Sequence, residues 1–130
     1  MTRTLLVLLL SLFFASSFSQ DIDFKKGIVL VDGKECIKMS KEDAVSISFT
    51  DMEGNDLIFL RFIHNSKFAK LYTKVTFIDQ KLSFTSQSYI YTKKLLIKKL
   101  INNNVIQDCK INVANLEKFI MKYDENVEEL

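Results

Sequence analysis

Residues 57–63 read Leu-Ile-Phe-Leu-Arg-Phe-Ile, a run that is almost entirely apolar on both faces of an extended chain. Successive side chains of a β-strand point to opposite faces, so a strand that is apolar on both faces is expected to be covered on both sides. The run therefore predicts a central strand of a sheet, of the kind that a sheet with a helical layer needs.

Two further strand signals precede this run. Residues 27–31 and 34–39 are apolar stretches joined by Asp32-Gly33, a dipeptide that favours the tight turn of a β-hairpin because glycine adopts positive φ without strain. Residues 44–50 alternate, with Val45, Ile47 and Phe49 on one side and hydroxyl side chains on the other. This alternation is typical of a half-buried strand.

Two more strands are predicted after the run. Residues 71–78 place Thr73, Val75 and Phe77 on one face, and residues 82–90 place Leu82, Phe84 and Ile90 on the core side. The connections between strands are short, which favours an antiparallel meander of about six strands. The sequence leaves open whether the sheet is flat and open or closes into a partial barrel.

Helical patterns follow the strands. Thr92 is the predicted N-cap of a helix from Lys93 to about Asn102, and Asn112 is the predicted N-cap of a second helix to about Tyr123. The fold class is therefore α+β: residues 20–123 form one domain in which two C-terminal helices pack on one face of the sheet. Residues 124–130 are acidic, and we expect them to be frayed.

The first nineteen residues predict export. A basic start at Arg3, an apolar run from Leu5 to Phe14 and the small-x-small ending Ser17-Phe18-Ser19 are the three parts of a secretory signal peptide. We expect cleavage of residues 1–19 and a periplasmic or extracellular location; the alternatives are cleavage after Ser17 and an uncleaved membrane anchor. Ten apolar residues are about half of what a membrane-spanning helix needs, and no longer run follows, so no transmembrane segment is predicted in the mature chain.

Cys36 and Cys109 are the only two cysteines. Disulfides persist in exported proteins, and two cysteines allow a single intramolecular pairing. We therefore predict a Cys36–Cys109 bridge, with two separate buried thiols as the alternative. The chain lacks a CxxC motif, so neither a metal site nor a redox role is expected for this pair.

Charge is distributed unevenly along the chain. Residues 67–116 carry nine basic and two acidic groups, giving +7, whereas residues 20–66 and 117–130 each sum to −3. The most basic element is the first predicted helix, with Lys93, Lys94, Lys98 and Lys99. This helix is a candidate for binding an anionic surface. Nucleic acid is not expected, because the chain is exported and has no nucleic-acid-binding motif.

A second candidate surface lies on the strands. The alternation predicts that Tyr72, Lys74, Tyr89 and Tyr91 point away from the core. Tyrosine offers a rigid amphipathic area that suits sugar or peptide binding.

Catalytic signals are weak. His64 is the only histidine and follows a strand, a location that active-site residues often occupy, but no catalytic motif accompanies it. No cofactor or metal motif is found, so we predict none. The favoured hypothesis is a small exported, non-catalytic module that binds a protein or a glycan at the cell envelope. The alternatives are a small enzyme that uses His64 as an acid or base, and a protein that binds anionic surfaces through residues 93–99.

Overall fold

The computed structural model describes residues 20–129. They form nine strands and two helices, whose bounds in chain order are β1 (Ile22–Lys25), β2 (Ile28–Val31), β3 (Lys34–Asp43), β4 (Ser46–Thr50), β5 (Asp56–His64), β6 (Leu71–Phe77), β7 (Leu82–Ser86), α1 (Lys93–Asn102), β8 (Ile106–Gln107), β9 (Lys110–Ile111) and α2 (Val113–Tyr123). The predicted export signal and Leu130 lie outside the described residues.

Strands β1 to β7 form one antiparallel sheet in sequence order. The sheet is open, because β1 and β7 are its two edges and do not pair with each other in the described structure. The predicted α+β fold with an antiparallel meander is therefore confirmed, and the barrel alternative is excluded for the part of the chain described here.

The sheet has one strand more than the sequence analysis predicted. Both residues of the predicted Asp32-Gly33 turn have positive φ, 52° and 80°, as a two-residue hairpin turn requires. Lys26 and Gly27 form an equivalent turn with φ values of 50° and 78°, and this turn pairs β1 with β2. Strand β1 was missed because four residues are too few to establish an alternation, and because lysine is not a typical turn signal.

Strand β5 is central, as predicted, but it is not covered on both sides. Ile58 and Leu60 are buried, whereas Phe59 and Ile63 are only half-buried and Arg61 is exposed. Both helices pack on the face that carries Ile58 and Leu60, so the other face of β5 has no second layer in the described structure. The second face of β5 is therefore apolar at Phe59 and Ile63 but only half-buried there, and the exposed Arg61 lies between them.

The core lies between this face of the sheet and the two helices. Thr92 caps α1 by accepting a hydrogen bond from the Leu95 amide, and Asn112 caps α2 in the same way with Asn115. The sheet contributes Val29, Ile37, Phe49, Ile58, Leu60, Val75, Phe77 and Phe84, and the helices contribute Leu96, Ile97, Leu100, Ile101, Leu116 and Phe119. Both predicted helices and their caps are confirmed.

The predicted disulfide is also confirmed. Cys36 of β3 and Cys109 are bridged with Cα atoms 5.1 Å apart, across a sequence separation of 73 residues. Cys109 lies in the turn of the small β8–β9 hairpin between the helices, which the sequence analysis did not predict. The bridge therefore joins this hairpin to the sheet.

Candidate functional site

The face of the sheet opposite the helices, which we call the open face, carries polar side chains in ordered rows. The strand register places Ser46 of β4 beside Arg61 of β5, Arg61 beside Lys74 of β6, and Lys74 beside Thr85 of β7. All four side chains lie on the same face, because cross-strand neighbours share a side of the sheet. We call this set the cationic row, because its two central members are positively charged.

Arg61 and Lys74 are like charges directly opposite each other, an arrangement that is unfavourable unless an anion lies nearby. The Glu128 carboxylate supplies one, at 2.6 Å from the Lys74 ammonium. Within residues 20–129 this is the only ion pair closer than 4.0 Å, so no described carboxylate is paired with Arg61. The pKa of Asp43 is lowered, mainly by a hydrogen bond from the Val45 amide and less by the charge of Arg61.

Glu128 reaches the open face because the C-terminal segment crosses the edge of the sheet at β7. The Thr85 amide donates to the Asp124 carboxylate at 3.0 Å, and the Glu125 amide donates to the Thr85 carbonyl at 2.9 Å. The Val127 amide then donates to Thr85 Oγ1 at 2.8 Å. Residues 124–129, which we call the C-terminal strap, thus pair with the outer edge of β7 and continue onto the open face.

The Glu125 carboxylate is held by four donors from residues 86–88, at the end of β7 and just after it. The hydroxyls of Ser86 and Ser88 donate at 2.7 and 2.6 Å, and the amides of Gln87 and Ser88 donate at 3.1 and 3.0 Å. Burial alone would raise the pKa of Glu125, but these hydrogen bonds outweigh it and lower the pKa to about 2. The carboxylate is therefore ionised at neutral pH.

Glu128 occupies a second carboxylate site on the open face. It accepts hydrogen bonds from Lys74 Nζ and, at 2.7 Å, from the Tyr72 hydroxyl, and these contacts lower its pKa. Burial and the hydrogen bond to Glu128 raise the pKa of Tyr72. The two carboxylate sites of the strap are thus separated by three positions along the chain.

These contacts differ from the expectation that residues 124–130 are frayed. The strap is acidic and follows a domain rich in lysine, but composition could not show where it would lie. The hydroxyl and amide donors of residues 86–88 and the edge of β7 hold it, and those groups come together only when the sheet forms.

Two of the predicted surface tyrosines are buried, and the predicted orientation away from the core is correct for Tyr72 and wrong for Tyr91. Tyr72 does lie on the open face, but it is only 1% exposed and its hydroxyl is bound to the strap. Tyr91 is also 1% exposed and packs edge-on against Phe84 in the core, with burial raising its pKa to about 12. The alternation fails at Tyr91 because β7 ends at Ser86, whose hydroxyl accepts from the Tyr89 amide in a bend.

Tyr89 remains 40% exposed, and it belongs to a cluster around Lys99. The Lys99 ammonium lies 4.8 Å from the Tyr89 ring centre, 5.7 Å from that of Tyr91 and 4.1 Å from that of Tyr123. These are cation–π distances. The Lys99 ammonium therefore packs against tyrosine rings of the same chain and does not belong to an outward-facing basic surface of α1.

The other three helix lysines are exposed. Lys94 and Lys98 lie 5.5 and 5.9 Å from the ring centre of Phe24, so both flank the edge strand β1. Lys93 lines a cavity of about 320 Å³ together with Lys41 and the apolar side chains of Met39, Ile47 and Phe62, and with Ala44 and Thr92. The predicted binding residues thus separate into a strap site (Tyr72, Lys74), an internal cluster (Tyr89, Tyr91, Lys99) and an exposed basic surface (Lys93, Lys94, Lys98).

His64, the weak catalytic candidate, is the last residue of β5 and is exposed. No carboxylate of the described chain lies within 4.0 Å of its imidazole. Residues 20–129 therefore supply no carboxylate that would orient this histidine for acid–base chemistry.

Residues that sequence reasoning missed carry most of the site. Arg61 was treated only as part of an apolar run, and Ser86, Ser88, Glu125 and Glu128 were not singled out. The available signal was the contrast between a basic middle segment and an acidic C-terminus, which indicated attraction but not its position.

Residues 20–129 contain neither a metal-binding cluster nor a membrane-spanning helix. No group of three or more His, Cys, Asp or Glu side chains is arranged to hold a metal ion there. Neither helix of that region has the length and apolar character needed to cross a bilayer. Comparison with protein-family models, curated proteins and solved structures finds no match to this chain.

Proposed function

We propose that the chain is a small exported, non-catalytic module that binds a protein partner at the cell envelope through the open face of its sheet. The observation that carries this proposal is the cationic row. Arg61 and Lys74 are adjacent on a face without a helical layer, and only Lys74 is paired with a carboxylate in residues 20–129. A partner carboxylate could pair with Arg61 as Glu128 pairs with Lys74.

The open face suits a protein better than a glycan. Sugar sites use exposed aromatic rings, but Tyr72 and Tyr91 are both buried. What remains exposed or half-exposed on the open face is the half-buried Phe59, the guanidinium of Arg61 and the hydroxyl groups of Ser48, Thr76 and Ser83. Aromatic and arginine side chains surrounded by small polar groups are typical of protein interfaces.

Export is supported by two features of the chain. Residues 1–19 have the pattern of a secretory signal, and the disulfide between Cys36 and Cys109 is of the kind that persists in oxidising compartments.

Charge reversal at Arg61 tests the proposal. Arg61→Glu is compared with Lys118→Glu, an exposed position on α2 that makes the same charge change away from the open face. Each purified protein is cross-linked in envelope extract of the source organism. We expect a partner that cross-links to the wild type and to Lys118→Glu but not to Arg61→Glu. Equal labelling by both variants, or no specific product with the wild type, would reject this surface.

A second candidate function rests on the exposed basic surface of α1. Lys93, Lys94 and Lys98 are exposed, and none has a described carboxylate within 4.0 Å. Such a surface would attract anionic lipid headgroups, and added salt would weaken this attraction. Sedimentation with phosphatidylserine vesicles tests it. Binding that falls with salt and is lost in Lys94→Glu/Lys98→Glu supports this function, whereas absent or salt-independent binding rejects it.

A further inference from the structure

The C-terminal strap is bound as an added segment on an edge strand. An edge strand presents unpaired amide and carbonyl groups that can pair with an extended peptide. At β7 both the amide and the carbonyl of Thr85 are used by Asp124 and Glu125. The outer edge of β7 is therefore covered at Thr85 by part of the same chain, which then turns at Asn126, where φ is 50° and the Glu129 amide donates to the Asn126 carbonyl at 3.1 Å.

The groups that hold the strap select carboxylates. Four donors converge on Glu125, and an ammonium and a phenol converge on Glu128, so each acidic side chain has its own set of donors. Hydrogen bonds to ionised carboxylates are about twice as strong as neutral ones. A peptide with carboxylates at these two positions is thus preferred over one with amides there.

Much of this surface is held in place without the strap. The backbone positions of Tyr72 and Lys74 are fixed by the pairing of β6 with β5 and β7, and the Ser86 hydroxyl accepts a hydrogen bond from the Tyr89 amide. A segment that left the surface would leave its donors preorganised for another occupant.

We propose that the partner presents an acidic segment that replaces the C-terminal strap along β7 and the open face, in the same turned conformation, with two carboxylates three residues apart at the positions of Glu125 and Glu128. This inference rests on the proposed function, because it names the chemistry of the partner at the same face. The strap then acts as an intramolecular competitor that occupies the same site when no partner is bound.

The cationic row explains how a partner could displace a tethered segment. A short tether holds its segment at an effective concentration of about 1 mM, so an external segment must bind more strongly than the strap itself. Arg61 provides the additional contact, since it lies beside Lys74 and no described carboxylate is paired with it. A partner segment that carries one additional carboxylate could pair with Arg61 as well as with Lys74.

A peptide titration of the full mature chain tests the inference. The probe is the synthetic peptide Asp-Glu-Asn-Val-Glu-Glu, which has the sequence of residues 124–129. It is added to wild type and to Glu125→Gln/Glu128→Gln, and amide shifts are followed by nuclear magnetic resonance. The variant weakens the internal competitor, so we expect the peptide to bind it at least about tenfold more tightly than the wild type. The shifts should be concentrated at Thr85, Gln87 and Ser88.

The matched control is the same peptide with glutamine at its second and fifth residues, the positions of Glu125 and Glu128. It should bind the variant at least about tenfold more weakly, which corresponds to about 1.4 kcal/mol. Equal binding of the two peptides, or no shifts at residues 85–88 in the folded variant, would overturn the inference. If the double variant does not fold, Glu128→Gln alone is used, since it removes only the contacts to Tyr72 and Lys74.

Failure of this inference can be separated from failure of the proposed function. A protein partner that depends on Arg61, together with absent peptide binding, would reject the acidic-segment chemistry while retaining the binding function. A wild-type dimer with exchanged straps, detected by light scattering, would instead identify the occupant as a second copy of this chain and overturn the partner assignment.

Discussion

Removal of the disulfide should cost more stability than most single substitutions in this domain. The bridge closes a loop with a sequence separation of 73 residues, from the third strand of the sheet to the hairpin between the two helices. In the chain-entropy model, a loop of this length restricts the unfolded state by about 4 kcal/mol at 25 °C. A domain of this size is typically stable by about 5–15 kcal/mol, so the loss would be a large part of the total.

The appropriate variant is Cys36→Ala/Cys109→Ala, because Cys36 is only 2% exposed and a serine there would add a buried hydroxyl. Urea unfolding of the oxidised wild type and the variant, followed by circular dichroism, gives the difference in the free energy of unfolding. We expect a decrease of about 4 kcal/mol.

Wild type measured in reducing agent is the control and should approach the variant. A decrease of less than about 1 kcal/mol in both would refute the loop-entropy argument, since it would mean that the bridge hardly restricts the unfolded chain.

Three further predictions concern the turn, the core and the strap. Gly27→Ala should lower the free energy of unfolding, measured in urea, by about 1–2 kcal/mol, because φ is +78° and the new Cβ would lie 3.1 Å from the Met39 carbonyl oxygen. Gly33→Ala is the control: no atom lies within 4 Å of its new Cβ, so the decrease in the free energy of unfolding should be smaller. Leu100→Ala, at a fully buried helix position, should lower the free energy of unfolding by about 2–5 kcal/mol in the same assay, and an unchanged value would contradict the packing described for α1. Glu125 has a pKa of about 2 in the folded state, below its ordinary 4.5, so its contribution to stability is present above pH 4.5 and is lost as the pH falls toward 2. Urea unfolding across this range should therefore show the difference between wild type and Glu125→Gln shrinking with acid; a constant difference would argue against the strap contacts.

Local patterns were sufficient for most of the fold. The alternation at residues 71–77, the Asp32-Gly33 turn and the caps Thr92 and Asn112 were predicted because each depends on neighbours within a few residues. Strand β1 and the β8–β9 hairpin were missed because each is too short to carry a pattern. Tyr91 was placed on the wrong side because a bend at Ser86 stops the alternation, and nothing in a two-residue period signals such a stop.

The candidate site was much less accessible from the sequence. Lys74 and Tyr72 were selected as binding residues, but for an outward surface and not as the receptors of the chain's own C-terminus. Arg61 looked like an interruption of an apolar strand. It became a candidate only when the register placed it beside Lys74.

The sequence by itself determined the fold class, the one intramolecular disulfide pairing that was possible and the excess of positive charge in the middle of the chain. These follow from local periodicity, from having only two cysteines and from counting charges. Only the tertiary structure decided which face stays uncovered, which tyrosines are buried and where the acidic C-terminus binds. Those outcomes depend on contacts such as Glu125 with Ser88 and Glu128 with Lys74, which join residues 37 and 54 positions apart. Sequence periodicity reports which side of an element a residue occupies. It carries no information on which distant segment will cover that side, because this depends on how the whole sheet and both helices pack together.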